Sequence, residues 1–236
     1  MNLLACILTV FTIWYARGDQ EAVPAWFVRM PEEPGMVYAV GYARAYAMYD
    51  SAAAAARRDA AYRLRMALGS AIMGERLFQT LPGGQVVYQG ERFSEQPLYE
   101  VTPVYLDTAR VGSMILVLAV SREQEIALSS ARILPDKTPP SWITTLPDNA
   151  GAMYAVGISP MYYYEEHSWQ EAERQARHEL AYSFLTRQRR FLRGTDTAEH
   201  GVTASATSVQ LHGLQVMARW RSDSMCFVLM KARKNK

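Results

Sequence analysis

The chain has 236 residues, half of them hydrophobic and a fifth charged, which excludes a disordered chain and leaves room for one large domain or two of about 100–150 residues. A net charge of +2 is too small for a dedicated nucleic-acid binder. Two cysteines cannot build a disulfide framework, and no Cys/His group has zinc-ligand spacing.

In chain order, the first feature is an apolar run at positions 3–15, LLACILTVFTIWY. About 13 residues is short of the roughly 20 that a membrane-spanning helix needs, but it suits the core of a signal peptide. Small residues follow in Ala16-Arg17-Gly18, so residues 1–18 are expected to be a signal peptide cut after Gly18. No Lys or Arg precedes the run, which leaves the true start codon open. Leu3-Leu4-Ala5-Cys6 also reads as a lipobox with Cys6 as the lipidated residue, although here the apolar run follows the cysteine. An uncleaved N-terminal anchor is the third reading. Export to the periplasm or outer membrane of a bacterium is the working expectation.

The rest of the chain repeats itself. At a shift of 116, residues 24–68 lie on 140–184 without a gap. Pro24/Pro140, Trp26/Trp142, Pro31/Pro147, Gly35/Gly151, Tyr46/Tyr162, Ala56/Ala172, Arg58/Arg174, Ala60/Ala176 and Leu64/Leu180 coincide, as does Tyr38-Ala39-Val40-Gly41 with Tyr154-Ala155-Val156-Gly157. These are 13 identities in 45 positions, where chance gives about three. At a shift of 111, Arg110, Ser113-Met114, Val117-Leu118 and Arg122 lie on Arg221, Ser224-Met225, Val228-Leu229 and Arg233. The copies span 19–134 and 140–236, joined by a proline-rich linker at 135–139 whose extended, stiff character follows from its composition.

Each copy reads alike. A Pro-x-Trp segment and a Pro/Glu/Gly turn precede a short apolar strand (36–41; 153–158). A helix follows, starting near Asp50-Ser51 in the first copy, where either side chain can cap free amides. Its inward face is Ala53, Ala56, Ala60, Leu64 and Leu68; in the second copy it is Trp169, Ala172, Ala176, Leu180 and Phe184. Gly83-Gly84 reads as a hairpin turn, and 201–208 as a small polar loop or edge strand. Strand pairs close the copies at 98–106 with 113–121 and 211–220 with 225–232, the last of each apolar enough to be central. The fold class is α+β: two tandem β-α-β-β domains, each a helix on a small, mostly antiparallel sheet. Gly41 and Gly157 are expected where the strand turns toward the helix, at a conformation or close approach that excludes a side chain.

Pro-x-Trp, Tyr-Ala-Val-Gly, the alanine-rich helix and the final apolar strand, in that order and twice over, resemble the LPP-twenty-like family of bacterial envelope lipoproteins. The resemblance covers most of 24–122 and 140–233. It implies an exported, non-catalytic structural or protein-interaction module with no catalytic residues to transfer.

The remaining residues give little chemistry. His167 and His178 sit three turns apart on one helix, too far to share a metal, and His200 and His212 have no ligand partners in the sequence. No serine lies in a nucleophile elbow. No catalytic residue, metal or cofactor is therefore expected. Cys226 reads as a buried core thiol. Tyr162, Tyr163 and Tyr164, with Arg187, Arg189, Arg190 and Arg193 at the end of the second helix, are the candidate interaction surface; the arginines also suit a helix C-terminus for reasons of dipole alone. Envelope or flagellar proteins are the expected partners, with membrane association through the N-terminus and oligomerisation left open. Two other readings stand: a flagellar-assembly accessory protein, or a periplasmic small-ligand binder that uses the cleft between the copies.

Overall fold

The structure, a computed structural model, describes residues 21–45, 48–80, 86–122, 128–129, 131–149, 151–189 and 202–233, with backbone alone at 75–80, 86–92, 185–189 and 202–207. In the first half come β1 (Val23–Pro24), α1 (Ala25–Val28), β2 (Tyr38–Arg44), α2 (Tyr49–Leu68), β3 (Gly69–Thr80), β4 (Val86–Pro97), β5 (Val104–Val111) and β6 (Met114–Val120). Then follow β7 (Arg132–Ile133), a single 3-10 turn (Ser141–Ile143), β8 (Ala152–Pro160), α3 (Glu165–Arg189), β9 (Val202–His212), β10 (Gln215–Arg221) and β11 (Met225–Arg233). The fold is α+β, and every strand pairing is antiparallel.

Two three-stranded sheets have the same order, first strand, last strand, penultimate strand: β2-β6-β5 and β8-β11-β10. Their ladders obey the shifts read from the sequence. Gly41 faces Val117 and Gly157 faces Val228; Arg110 faces Ile115 and Arg221 faces Cys226. Even the irregularities match, with register breaks between Tyr105 and Asp107 in β5 and between Val216 and Ala218 in β10. The last strand of each half is central as expected, and β6 is buried along its whole length.

Each sheet carries its helix on the glycine side. Ala53, Ala56, Ala60 and Leu64 of α2, and Trp169, Ala172, Ala176 and Leu180 of α3, are buried, whereas Leu68 and Phe184 are half-buried. Because these faces have so little bulk, the helix backbones rest on the strands. A Cβ on Gly41 would overlap the Ala56 carbonyl oxygen and the Ala60 amide, and would lie 2.7 Å from Ala60 Cα. A Cβ on Gly157 would overlap the Ala172 carbonyl oxygen and lie 2.5 Å from the Ala176 nitrogen. Close approach alone excludes a side chain, since neither glycine has a positive φ. Both lie mid-strand, before the passage to the helix. The start of α2 also departs from expectation: Met48 occupies the cap position without a side-chain bond, and Asp50 falls in the first turn.

The halves do not stand apart. One hydrophobic cluster runs from Val23, Trp26 and Phe27 through Tyr38, Val40 and Leu118 to Trp169, Leu214, Val216 and Met230. A third sheet, ordered β4-β3-β9, adds a strand of the second half to a long hairpin of the first. That hairpin is an insertion into the expected β-α-β-β plan, with the Gly83-Gly84 turn outside the described residues. The repeated topology thus serves one shared core. Among the described residues no helix is long and apolar enough to cross a membrane; Cys6 and the N-terminal apolar run lie outside them.

Candidate functional site

The most strongly polar place in the interior is where the halves meet. Tyr42 of β2 lies on the face opposite Gly41; Asp59 and Arg63 come from α2, Glu173 from α3 and Arg219 from β10. Tyr42 Oη donates to Glu173 Oε1 at 2.6 Å, and Arg219 Nη2 donates to the same oxygen at 2.8 Å. Arg63 Nη1 donates to Glu173 Oε2 at 2.5 Å and Arg63 Nε to Asp59 Oδ2 at 2.7 Å. Asp59 Oδ2 also accepts the Tyr42 amide at 2.8 Å, while Arg219 Nη1 donates to the Phe27 carbonyl at 3.0 Å. Glu173, Arg219 and Tyr42 are each 3% exposed.

Two guanidinium groups thus face two carboxylates, which is the arrangement a buried charge requires. Burial works to raise the Glu173 carboxyl. The Arg63 and Arg219 charges, with hydrogen bonds from Tyr42 and Arg219, outweigh it and hold the group at about 2. Burial drives the Tyr42 hydroxyl well above its ordinary range. Burial opposes the Arg63 charge, but Glu173 and Asp59 overcome it and raise that group. Glu173, Tyr42 and Arg63 are all held far from neutral pH, so they give no general acid or base for work near pH 7. The network fastens the halves together.

A second tie runs from α3 to β4. Arg177 grips Glu95 with two bonds, 2.6 and 2.9 Å, and His178 stacks on Phe93 with ring centroids 3.9 Å apart. Burial favours the neutral form of Glu95, yet the bonds and charge of Arg177 lower its carboxyl below the usual range.

Of the sequence-predicted surface, Tyr162 and Tyr163 are exposed, Tyr163 at 91%. Tyr164 is half-buried: it meets Tyr163 edge-on at 4.9 Å and lies beneath the Arg44 guanidinium at 4.1 Å. Arg44 ends β2, so this contact joins the equivalent strand-to-helix loops of the two halves. Met48, 74% exposed, and Tyr49, 48% exposed, stand where the first of these segments enters α2. The arginines are elsewhere. Arg187 and Arg189 belong to the last turns of α3, a 25-residue helix whose length is about 36 Å; tyrosines and arginines therefore occupy opposite ends, not one surface. The side chains of Arg187 and Arg189, and all of Arg190 and Arg193, lie outside the described residues.

His167 is exposed beside Tyr164 at 5.8 Å, His178 is buried, and His212 lies against Tyr99. Among the described residues no three His, Cys, Asp or Glu side chains gather closely enough to hold a metal ion. Cys226 is fully buried; burial pushes its thiol up to about 12, Glu165 adding to the effect and Arg221 opposing it. Thiolate is the reactive form, so at pH 8 iodoacetamide is expected to leave Cys226 unlabelled in the folded protein while labelling it in urea. Equal labelling rates in the two states would contradict this placement.

A cleft of about 650 Å³ separates the linker segment around Pro139, Pro140 and Trp142 from the outer face of the β8-β11-β10 sheet. A smaller groove of about 340 Å³ lies between α2 and α3, with Tyr62, Tyr162 and His167 along it. In comparisons with known proteins, the chain matches no family model, no curated protein and no solved structure.

Proposed function

We propose that this protein is an exported, non-catalytic module of a bacterial envelope, built by duplication of one β-α-β-β unit and acting through protein contacts at its aromatic end. The observation that carries the reading is the Arg44–Tyr164 contact, which joins the equivalent strand-to-helix segments of the two halves, on which Tyr163, Tyr162, Met48 and Tyr49 are exposed. Aromatic residues, methionine and arginine are the types enriched at protein interfaces, and rigid tyrosines give contact area at low entropic cost. The Arg63, Arg219 and Arg177 charges, by contrast, are paired with the Glu173 and Glu95 carboxylates, which suits a structural role. The apolar run at 3–15 supports export, and the motifs shared with the LPP-twenty-like family support an envelope setting.

The test is a Tyr163→Ser/Met48→Ser variant compared with the parent chain by crosslinking in intact cells and mass spectrometry. Both residues are exposed, so the melting temperature is expected to hold while crosslinked protein partners are lost. Retention of the same partners by the folded variant would overturn the assignment of this end as the contact surface.

A further inference from the structure

The duplication provides an internal comparison that marks a second site. In the first half the Pro24-x-Trp26 segment closes down on the outer face of its sheet. Trp26 is 3% exposed, its indole N–H donates to Asp107 Oδ2 at 2.8 Å, and Phe27 packs edge-on to Tyr42 at 6.2 Å. The matching segment in the second half is Pro140-x-Trp142. At the shift of 111 that relates β5 to β10, the residue matching Asp107 is Ala218, which has no carboxylate to offer. Trp142 is accordingly half-exposed, its indole N–H has no hydrogen-bond partner among the described residues, and the 650 Å³ cleft stands open between it and Ala218. One copy uses this face as core; the other keeps it as a cavity of a size that suits a small molecule.

We propose that this cleft binds a small ligand with an aromatic or apolar body and a single anionic group. The walls supply the first part: Trp142, Trp220, Tyr154 and Leu229, with the linker prolines opposite. The polar groups supply the second. Glu32 pairs with Lys231 at 2.9 Å, Asp136 Oδ1 accepts the Thr138 amide at 2.9 Å, and the Asp136 carbonyl accepts Trp220 Nε1 at 2.8 Å. Three donors are not so engaged: the exposed Arg29 guanidinium, the Trp142 indole N–H and the Tyr154 hydroxyl line the cleft and have no partner among the described residues. Unpaired donors around an aromatic slot select an acceptor-bearing, negatively charged aromatic ligand, with Arg29 as its charge partner. This site is remote in logic from the aromatic end, and neither reading depends on the other.

The probe is 8-anilinonaphthalene-1-sulfonate, which has an aromatic body and one sulfonate, titrated into the folded chain and followed by its fluorescence. The expected result is saturable one-to-one binding that falls at least about tenfold in Arg29→Ala, the cost of one charge-assisted hydrogen bond, with the melting temperature unchanged. Trp142→Ala is expected to weaken it similarly. Ala218→Asp, which restores the clamp of the first half, is expected to abolish binding as Trp142 closes. N-phenyl-1-naphthylamine, the same body without the sulfonate, should bind at least about tenfold more weakly. Unsaturable binding, binding indifferent to Arg29 and Trp142, or equal affinity for the uncharged analogue would each overturn the proposal.

Discussion

Gly157→Val is expected to leave little folded protein, and Gly41→Val to do the same. The added Cβ falls on helix backbone, Ala172–Ala176 in one case and Ala56–Ala60 in the other, where no rotamer change can make room. The helix must lift away from its sheet and give up the packing of a whole face. Overpacking a core ordinarily costs about 1–3 kcal/mol; a clash with backbone exceeds that, and loss of more than about 3 kcal/mol removes a large share of the roughly 5–15 kcal/mol that holds a domain together. Even Gly157→Ala carries the offending atom. Gly151→Ala is the control, because there a Cβ meets only Asn149 Oδ1 at 3.6 Å, and a change within about 0.5 kcal/mol is expected. Urea denaturation followed by circular dichroism reads all four variants. A Gly157→Val protein that unfolds at the parent's urea midpoint would refute the packing described.

Glu173→Gln is expected to be nearly as damaging. The amide keeps the shape but strips the counter-charge from Arg63 and Arg219, leaving two buried cations facing one remaining carboxylate, Asp59. Breaking a buried pair in this way costs about 3–5 kcal/mol, whereas Tyr42→Phe, which removes one hydrogen bond to the same carboxylate, costs about 1–3 kcal/mol. The pH dependence follows the same residue. Its folded value of about 2 lies below the ordinary 4.5, so the unfolded chain takes up the proton first as pH falls. The stabilisation is complete above about pH 4.5, on the order of 3 kcal/mol, and is lost as pH falls toward 2. The parent's urea midpoint should therefore decline across that window, with the Glu95 and Glu171 carboxyls, also lowered, declining alongside. In Glu173→Gln the decline should be shallower. An unchanged slope would mean that this carboxyl is not the one that titrates.

These two sites differ in how plainly the sequence announced them. Gly41/Gly157, Ala56/Ala172 and Ala60/Ala176 are identical between the copies because each pair meets the same steric demand, a helix backbone lying on a strand. Their spacing alone locates the contact. The charge network is invisible to that comparison because it occupies positions where the copies differ. Tyr42 matches Ile158, Asp59 matches Gln175, Arg63 matches Glu179, Glu173 matches Arg57 and Arg219 matches Thr108. This lock is asymmetric, because each half supplies groups that the other lacks at the matching positions. Charged mismatches on otherwise matching faces were the available signal.

Gly83-Gly84 marks a hairpin turn between β3 and β4, but the length of those strands is not legible in the sequence, for a different reason. Its strands follow α2 without a break, with Gly69 at an extended φ of −177°, and GSAIMGERLFQT has no clean two-residue alternation to separate strand from helix. The sharing of one core between the halves was also out of reach, because a proline-rich linker has the same composition whether it separates two bodies or, as here, lies on one of them. The open cleft beneath Trp142 depended on a single exchange, Asp107 for Ala218, whose meaning needs the strand register.

The proposed function places protein contacts at the aromatic end of the molecule. The most direct measurement is photo-crosslinking in the producing cells from p-benzoylphenylalanine placed at position 163, compared with the same group at position 58 on the exposed side of α2. Discrete crosslinked protein bands are expected from 163 and none from 58. No crosslink from 163, or the same bands from both positions, would contradict it.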